Sequence, residues 1–211
     1  PRAPRSLPPP RSSDLTLHLV LRLRGNNGAI RLGAEALKAT VNAENAATVW
    51  YGKNHNHDPG AWRVIGYNSS GFTSKFNEPG TLTLLAAANM GTTEFDESTP
   101  YSNVYAESTL KTKVDAIAEA FNAQEKAAIK ARVLACGAFE DDNTDCIAGS
   151  EPVKDAMLWP LSTKEACSVE NAIRKTTDNQ TEQDWAMYYW WLRSPAYFSS
   201  TAAYVIGGGF V

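Results

Sequence analysis

The densest group of metal-ligating residue types is formed by His55, His57 and Asp58, which lie within four positions. On a strand, two histidines separated by one residue share a face, and imidazole and carboxylate groups both coordinate zinc or nickel. The segment lies among Asn, Gly and Pro residues, which indicates a loop, and the remaining histidine is His18. We therefore interpret these three residues as surface residues, keep a nickel or zinc site as the alternative, and expect no cofactor.

Three cysteines, Cys136, Cys146 and Cys167, form an odd set without a C-x-x-C pair, which argues against a structural zinc site. Cys136 and Cys146 are candidates for a disulfide that would close a loop around the acidic stretch 140–145. The alternative is that all three are reduced thiols that pack as small hydrophobic side chains.

Motifs for nucleophilic or phosphate chemistry are missing from the sequence. It contains no G-x-S-x-G, no H-E-x-x-H and no phosphate-binding glycine loop. Gly207, Gly208 and Gly209 follow a strand pattern but open no helix, so they indicate a turn. We therefore predict a protein that is not an enzyme.

Aromatic residues are concentrated near the C-terminal end, where nine of the 21 lie in the final 27 positions. Successive side chains of a strand point to opposite faces, so we expect some of these rings to face outward. Aromatic rings mixed with small hydroxyl side chains are typical of adaptable binding surfaces. The candidate ligand-binding residues are Tyr197, Phe198, Ser199, Ser200, Thr201 and Tyr204.

Length and composition indicate one globular domain with a tail, because 43% of the 211 residues are hydrophobic and 20% are charged. This composition excludes wholesale disorder, a collagen-like fibre and a disulfide mini-scaffold. Residues 1–32 carry six arginines and one acid, a local charge of +5 within a net charge of −3, which leaves −8 for the remainder. An acidic body argues against nucleic acid as the main partner.

The N-terminal region reads as an arm followed by a strand. Residues 1–14 contain five prolines and almost no apolar side chains, which predicts a disordered, extended Pro/Arg arm. Leu15–Leu23 alternates in part between apolar and polar residues, which favours a strand. This apolar run is too short to span a bilayer, so we expect no membrane insertion.

The remaining segments predict strands and helices in one α+β domain. Apolar and β-branched runs predict strands over Thr48–Tyr51, Trp62–Tyr67 and Thr81–Ala88. Capping signals predict three helices, which begin after Ser108, after Asn122 with Glu125, and after Ser162 with Glu165, the last running to about Lys175. The predicted inner-face residues are Leu110, Val114, Ile117, Ala118 and Phe121 on the first helix, and Ile129 and Val133 on the second.

Thr16–Gly25, T-L-H-L-V-L-R-L-R-G, resembles the last strand and tail of ubiquitin over ten positions. The ubiquitin tail ends in two glycines, whereas Gly25 is followed by Asn26, which argues against conjugation or processing there. A proline-rich arm precedes the segment, so we expect a strand with no sheet to join. Residues 15–28 are interpreted as the tail strand and linker of an upstream ubiquitin-like domain; the alternative is an unrelated amphipathic strand.

Tyr188–Pro195, Y-Y-W-W-L-R-S-P, followed by Ala202–Val205 and a glycine-rich turn, is similar to a bacterial family of unknown function with a W-L-R-S-P hallmark. The resemblance extends over residues 40–211 through Val49–Gly52, Trp62–Gly66, Thr83–Ala88, Tyr105–Leu110 and Leu158–Ala166. It implies a C-type-lectin-like domain, akin to retroelement variable proteins and formylglycine-generating enzymes, with a mixed sheet and two to three helices. The family continues to a closing strand beyond the glycine turn, so we expect this chain to lack its last strand.

The resemblance also implies where the protein works and which residues matter. Members of the family sit on large secreted or bacterial surface proteins, so we expect part of a larger multidomain chain. The hallmark residues Trp190, Trp191, Leu192, Arg193, Ser194 and Pro195 are expected to hold the fold together. We predict a noncatalytic adhesion module that recognises a protein or carbohydrate ligand through its aromatic C-terminal surface. The alternatives are a structural spacer domain and, less favoured, an enzyme related to formylglycine-generating enzymes.

Overall fold

The computed structural model describes residues 19–24, 46–54, 56–67, 81–98, 101–134, 152–174, 189–196, 202–206, 209 and 211, with the backbone alone for 19–24. Its strands are β1 (Leu19–Arg24), β2 (Thr48–Lys53), β3 (Pro59–Tyr67), β4 (Thr81–Ala86), β5 (Arg132–Leu134), β6 (Val153–Ala156), β7 (Trp159–Pro160), β8 (Trp190–Pro195) and β9 (Ala202–Val205). Its helices are α1 (Thr109–Glu119), α2 (Ala123–Ala128), α3 (Thr163–Ser168) and α4 (Asn171–Arg174), with a 3-10 turn over Tyr105–Glu107. The presence of both strands and helices confirms the predicted α+β class.

The main sheet has five strands in the order β2-β3-β4-β1-β7. Two further sheets have two strands each, β5 with β6, and β8 with β9, which we call the β8–β9 hairpin. Every pairing among the described strands is antiparallel, whereas the family resemblance implied a mixed sheet. The strands predicted over 48–51, 62–67 and 81–88 are confirmed with slightly different ends.

Strand β1 is an internal strand of the main sheet. It pairs with β4 from Val20 opposite Leu85 to Arg24 opposite Thr81, and with β7 through Leu19 opposite Pro160. The expectation that this segment has no sheet to join is therefore wrong. All six residues of β4 are buried, and the peptide groups of a buried strand need hydrogen-bond partners on both sides. Strand β3 supplies one side and β1 supplies the other.

Helix α1 follows its sequence pattern closely. The Ser108 hydroxyl accepts a hydrogen bond from the Lys111 amide at 3.1 Å, which caps the first turn. The predicted inner-face residues Leu110, Val114, Ile117, Ala118 and Phe121 are all buried in the core. Spacing at 3.6 residues per turn therefore predicted both the helix and its buried face.

The predicted starts of the other helices are confirmed, but their predicted ends differ from those in the structure. Asn122 with Glu125, and Ser162 with Glu165, form complete capping boxes. Helix α2 ends at Ala128, and Val133 lies on β5 with 57% of its surface exposed, so its prediction as an inner-face residue is wrong. The third predicted helix is divided into α3 and α4 because Val169 adopts an extended conformation (φ −88°, ψ 136°). The described residues therefore contain four helices instead of two to three.

One hydrophobic core joins the main sheet, the helices and the β8–β9 hairpin. Its largest fully buried hydrophobic side chains include Trp62, Trp159 and Trp190, which come from β3, β7 and β8. Within the described part of the chain, no helix is long and apolar enough to cross a membrane. Strand β8 is thus tied to the main sheet by packing, although it pairs with β9 in a sheet of its own.

Candidate functional site

The β8–β9 hairpin carries the aromatic residues that the structure describes near the C-terminal end. Trp190 lies opposite Val205 and Trp191 lies opposite Tyr204. Trp190 is buried, with 1% of its surface exposed, while its neighbour Trp191 is half-buried. Adjacent side chains on a strand point to opposite faces, so one indole enters the core and the other lies near the surface.

Three half-buried rings, Tyr189, Trp191 and Tyr204, form a cluster that we call the aromatic face. The Tyr189 and Tyr204 ring centroids are 5.2 Å apart at an interplanar angle of 89°, and those of Tyr204 and Trp191 are 6.4 Å apart at 81°. Beneath them, Phe95 is buried and meets Trp191 at 5.4 Å and 72°. These edge-to-face contacts hold the rings in fixed orientations, so the aromatic face is a preorganised surface.

An acidic loop borders the aromatic face. The Trp191 indole Nε1 donates a hydrogen bond to the Thr93 carbonyl oxygen at 3.0 Å. The loop that contains Thr93, residues 92–98, carries three carboxylates, Glu94, Asp96 and Glu97, and no basic residue. The Asp96 carboxylate is satisfied locally, because it accepts the Ser102 amide at 2.8 Å and the Ser98 hydroxyl. The loop that contacts Trp191 through Thr93 and Phe95 is therefore acidic in composition.

Below this hairpin, Arg193 takes part in a buried ionic network. Its side chain is completely buried, and its Nη1 donates to the Pro160 carbonyl oxygen at 2.6 Å and to Glu165 Oε2 at 2.5 Å. The other oxygen of Glu165 pairs with Arg132, whose guanidinium also lies 5.6 Å from the ring centroid of Trp159. Glu165 therefore connects α3 with β5 and β8.

The ionisation state of Glu165 follows from this network. Burial opposes its charged form, but the charges and hydrogen bonds of Arg193 and Arg132 outweigh burial and lower its pKa from 4.5 to about 2. The same carboxylate closes the Ser162 capping box by accepting the Ser162 amide at 3.2 Å. A charged Glu165 thus fixes the start of α3 and the position of Arg193 together.

Two further hydrogen bonds attach β8 to the start of α3. The Arg193 amide donates to the Leu161 carbonyl oxygen at 2.9 Å, and the Thr163 amide donates to Ser194 Oγ at 3.0 Å. Together with the Arg193 side chain, these contacts hold the backbone of β8 beside the segment that follows β7. The aromatic face is therefore mounted on a strand with a rigid support.

Of the candidate ligand-binding residues, Tyr204 lies in the aromatic face, while residues 197–201 lie outside the described residues. His57 and Asp58 are exposed in the turn between β2 and β3, and His55 lies outside the described residues. No group of three His, Cys, Asp or Glu side chains within the described ranges could hold a metal ion. Cys136 and Cys146 also lie outside the described residues, whereas Cys167 is a free, exposed thiol.

Several residues around the aromatic face and the Arg193 network were not predicted from the sequence to lie there. Phe95 and the Thr93 carbonyl come from a loop almost a hundred positions before Trp191, and no local pattern links them to it. Glu165 was recognised as a capping residue, and its spacing from Ser162 was a local signal for its place at the start of α3 but not for its ion pair with Arg193. Arg132 carried no such signal.

One comparison with known proteins covers this region of the chain. A family model described as a domain of unknown function, DUF6273, matches residues 79–210. The chain belongs to this family. The DUF6273 region contains β4 to β9, the four helices of the described residues, the aromatic face and the Arg193 network, whereas β1 to β3 precede it. No curated protein and no solved structure shows a significant match to the chain.

Proposed function

We propose that this DUF6273 protein is a noncatalytic binding module that contacts a glycan or a protein through the aromatic face. The observation that carries the proposal is the series of rings that runs from buried Phe95 through Trp191 and Tyr204 to Tyr189. Rings placed only to fill the core would be buried, but the last three are half-buried. Amphipathic rings held at a surface are the usual anchors of sugar and protein ligands.

Rigid support strengthens this proposal. Binding surfaces gain affinity when their side chains are already ordered before the ligand arrives. Trp191 is fixed by the Thr93 carbonyl on one side and by Phe95 and Tyr204 on the others. A ligand that stacks on these rings would therefore lose little binding energy to side-chain ordering.

The proposal also includes two relationships beyond membership of DUF6273. We infer that the region adopts a C-type-lectin-like arrangement and acts within a secreted or bacterial surface protein, because the W-L-R-S-P segment Trp191–Pro195 resembles that group. We likewise interpret the T-L-H-L-V-L-R-L-R-G segment as derived from a ubiquitin-like tail. Its position as β1, within the main sheet, gives that segment a structural role here.

The competing function is a structural spacer domain, which the complete burial of Arg193 favours. A glycan array and a pull-down from surface proteins test the two with the wild type and the Tyr189→Ala/Tyr204→Ala variant. We expect a ligand of the wild type whose affinity falls about tenfold or more in the variant, with the melting transition retained.

A matched control comes from the opposite edge of the main sheet. Trp50 on β2 has 68% of its surface exposed, so Trp50→Ala removes an exposed ring without touching the aromatic face. This control should bind like the wild type. Absence of any ligand for the wild type, or equal binding by the double variant, would favour the spacer.

A further inference from the structure

We propose that the aromatic face binds a methylated ammonium cation, the group carried by choline and by methylated lysine. The inference rests on the proposed function and names the chemical group that the bound glycan or protein would present. It depends on the side of the hairpin that the rings share, on the angles between them and on the hydrogen bond that Trp191 already makes.

The three rings of the aromatic face lie on one side of the β8–β9 hairpin. Tyr189 and Trp191 are two positions apart, so their side chains point the same way, and Tyr204 is the strand partner of Trp191. Trp190, which lies between the first two, is buried in the core. The three rings therefore border one shared space, and each is half-buried and keeps part of its surface open to solvent.

The angles between the rings create corners instead of a flat platform. Tyr189 and Tyr204 are inclined at 89°, and Tyr204 and Trp191 at 81°. Where the edge of one ring meets the face of another, the two ring faces enclose a corner. With centroids 5.2 and 6.4 Å apart, a cation in such a corner lies within roughly 6 Å of both centroids, the range of cation–π attraction. A compact, rounded cation can thus contact two rings at once.

The electrostatics of the rings select the sign of the ligand. The faces of aromatic rings are negative, so these corners attract a cation and repel an anion. Tryptophan binds cations best among the aromatic residues, and the indole Nε1 of Trp191 already donates to the Thr93 carbonyl oxygen at 3.0 Å. The indole therefore offers its face to a ligand, and not a hydrogen bond to a hydroxyl or phosphate group.

A methylated ammonium suits these corners better than a primary one. The ammonium of lysine carries three N–H donors, and ring faces supply no strong acceptors for them, so its burial there is costly. Methyl groups replace these donors with apolar surface and leave the positive charge in place. Phe95 and Thr93 fix Trp191 before the ligand arrives, so the corner between Trp191 and Tyr204 is already formed.

Titration of the wild-type chain with choline, followed by ligand-observed NMR, tests the inference directly. We expect a Kd on the order of 1 mM and an upfield shift of the N-methyl signals, because the methyl groups lie above ring faces. Dimethylbutanol, the neutral analogue in which carbon replaces the nitrogen of choline, has the same shape without the charge. It should bind at least about fivefold more weakly. Equal affinities for the two probes, or no binding of choline, would overturn the inference.

Two further probes distinguish the sources of the group. Phosphocholine represents a decorated glycan, and the acetylated amide of trimethyl-lysine represents a modified protein. The source is the carrier that binds more tightly. The unmethylated lysine amide should bind several-fold more weakly than its trimethylated form, and equal binding of these two amides would contradict recognition of the methylated cation.

Variants locate the binding on the aromatic face. Tyr189→Ala/Tyr204→Ala should weaken choline binding about tenfold, whereas the Trp50→Ala control should bind like the wild type. Thermal melting verifies that each variant is folded, and Tyr204→Ala alone, which removes the ring shared by both corners, replaces the double variant if that variant unfolds. Choline binding that is unchanged by the loss of these rings would place the cation elsewhere and reject the inference.

The outcomes also separate this inference from the proposed function. A ligand from the glycan array or the pull-down that binds through the aromatic face, without any binding of the methylated cations, would reject the inference alone. Failure of every probe and of every array ligand would reject both. Choline binding that depends on Tyr189 and Tyr204 and exceeds that of the neutral analogue would support both.

Discussion

Two positions of β8, Trp191 and Arg193, lie only two residues apart and are used in opposite ways. Arg193 is completely buried, and its charge is met by Glu165 at 2.5 Å. Trp191 is half-buried and meets Phe95 and Tyr204 edge to face. A buried charge must be paired because an unpaired one is very costly, whereas a half-exposed ring can remain available to a ligand. One strand therefore has two parts. Arg193 marks a supporting end that holds the fold together, and Trp191 marks a presenting end that lies at the surface.

The largest expected effect is the removal of the buried cation. Arg193→Ala leaves Glu165 buried with Arg132 as its remaining described ionic partner, so the free energy of unfolding should fall by about 3–5 kcal/mol. Arg132 is partly exposed, so Arg132→Ala should cost only about 1 kcal/mol. Urea unfolding of both variants measures the difference. Equal losses would mean that burial does not distinguish the two arginines.

Acid should weaken the supporting end through Glu165. A pKa lowered from 4.5 to about 2 means that the folded state favours the charged carboxylate. This stability, about 3 kcal/mol, is present above pH 4.5 and is lost as the pH falls towards 2. Unfolding experiments between pH 7 and pH 2 should show the difference between the wild type and Glu165→Gln shrinking over that range. A difference that is independent of pH would contradict the assignment of a charged Glu165.

The supporting end was only partly predictable from the sequence. Ser162 and Glu165 have the local spacing of a capping box, so the start of α3 could be predicted. The pairing of Glu165 with Arg193 and Arg132 spans 28 and 33 positions, and no local rule selects partners at such distances. The prediction for β1 was wrong for the same reason, because its partners on β4 and β7 are far away in the chain.

The presenting end was predictable in kind but not in detail. The density of rings after position 185 indicated that some would face outward, and strand alternation separates Trp190 from Trp191. The contribution of Phe95 depends on how loop 92–98 packs, which the sequence does not encode locally. Periodic patterns therefore predict which residues share a face, while partners from distant loops require the folded structure.

A smaller effect is expected at the presenting end. Tyr204→Ala removes ring contacts with Tyr189 and Trp191, so the free energy of unfolding should fall by about 1–2 kcal/mol. Tyr204→Phe keeps the ring and should change stability by less than about 0.5 kcal/mol. Thermal and urea unfolding of the two variants tests this. A loss from Tyr204→Ala as large as that from Arg193→Ala would remove the distinction between the two ends.

The smallest effect should come from an ion pair that matches the buried one in length but lies at the surface. Lys126 Nζ is 2.5 Å from Glu119 Oε2, the same separation as between Arg193 and Glu165, yet the Glu119 side chain is 69% exposed. Water and salt screen such a pair, so Lys126→Met should change the free energy of unfolding by less than about 0.5 kcal/mol. Urea unfolding at low and high salt measures it beside Arg193→Ala. Because the two distances are equal, a large loss from Lys126→Met would show that distance, and not burial, sets the strength of ion pairs in this protein.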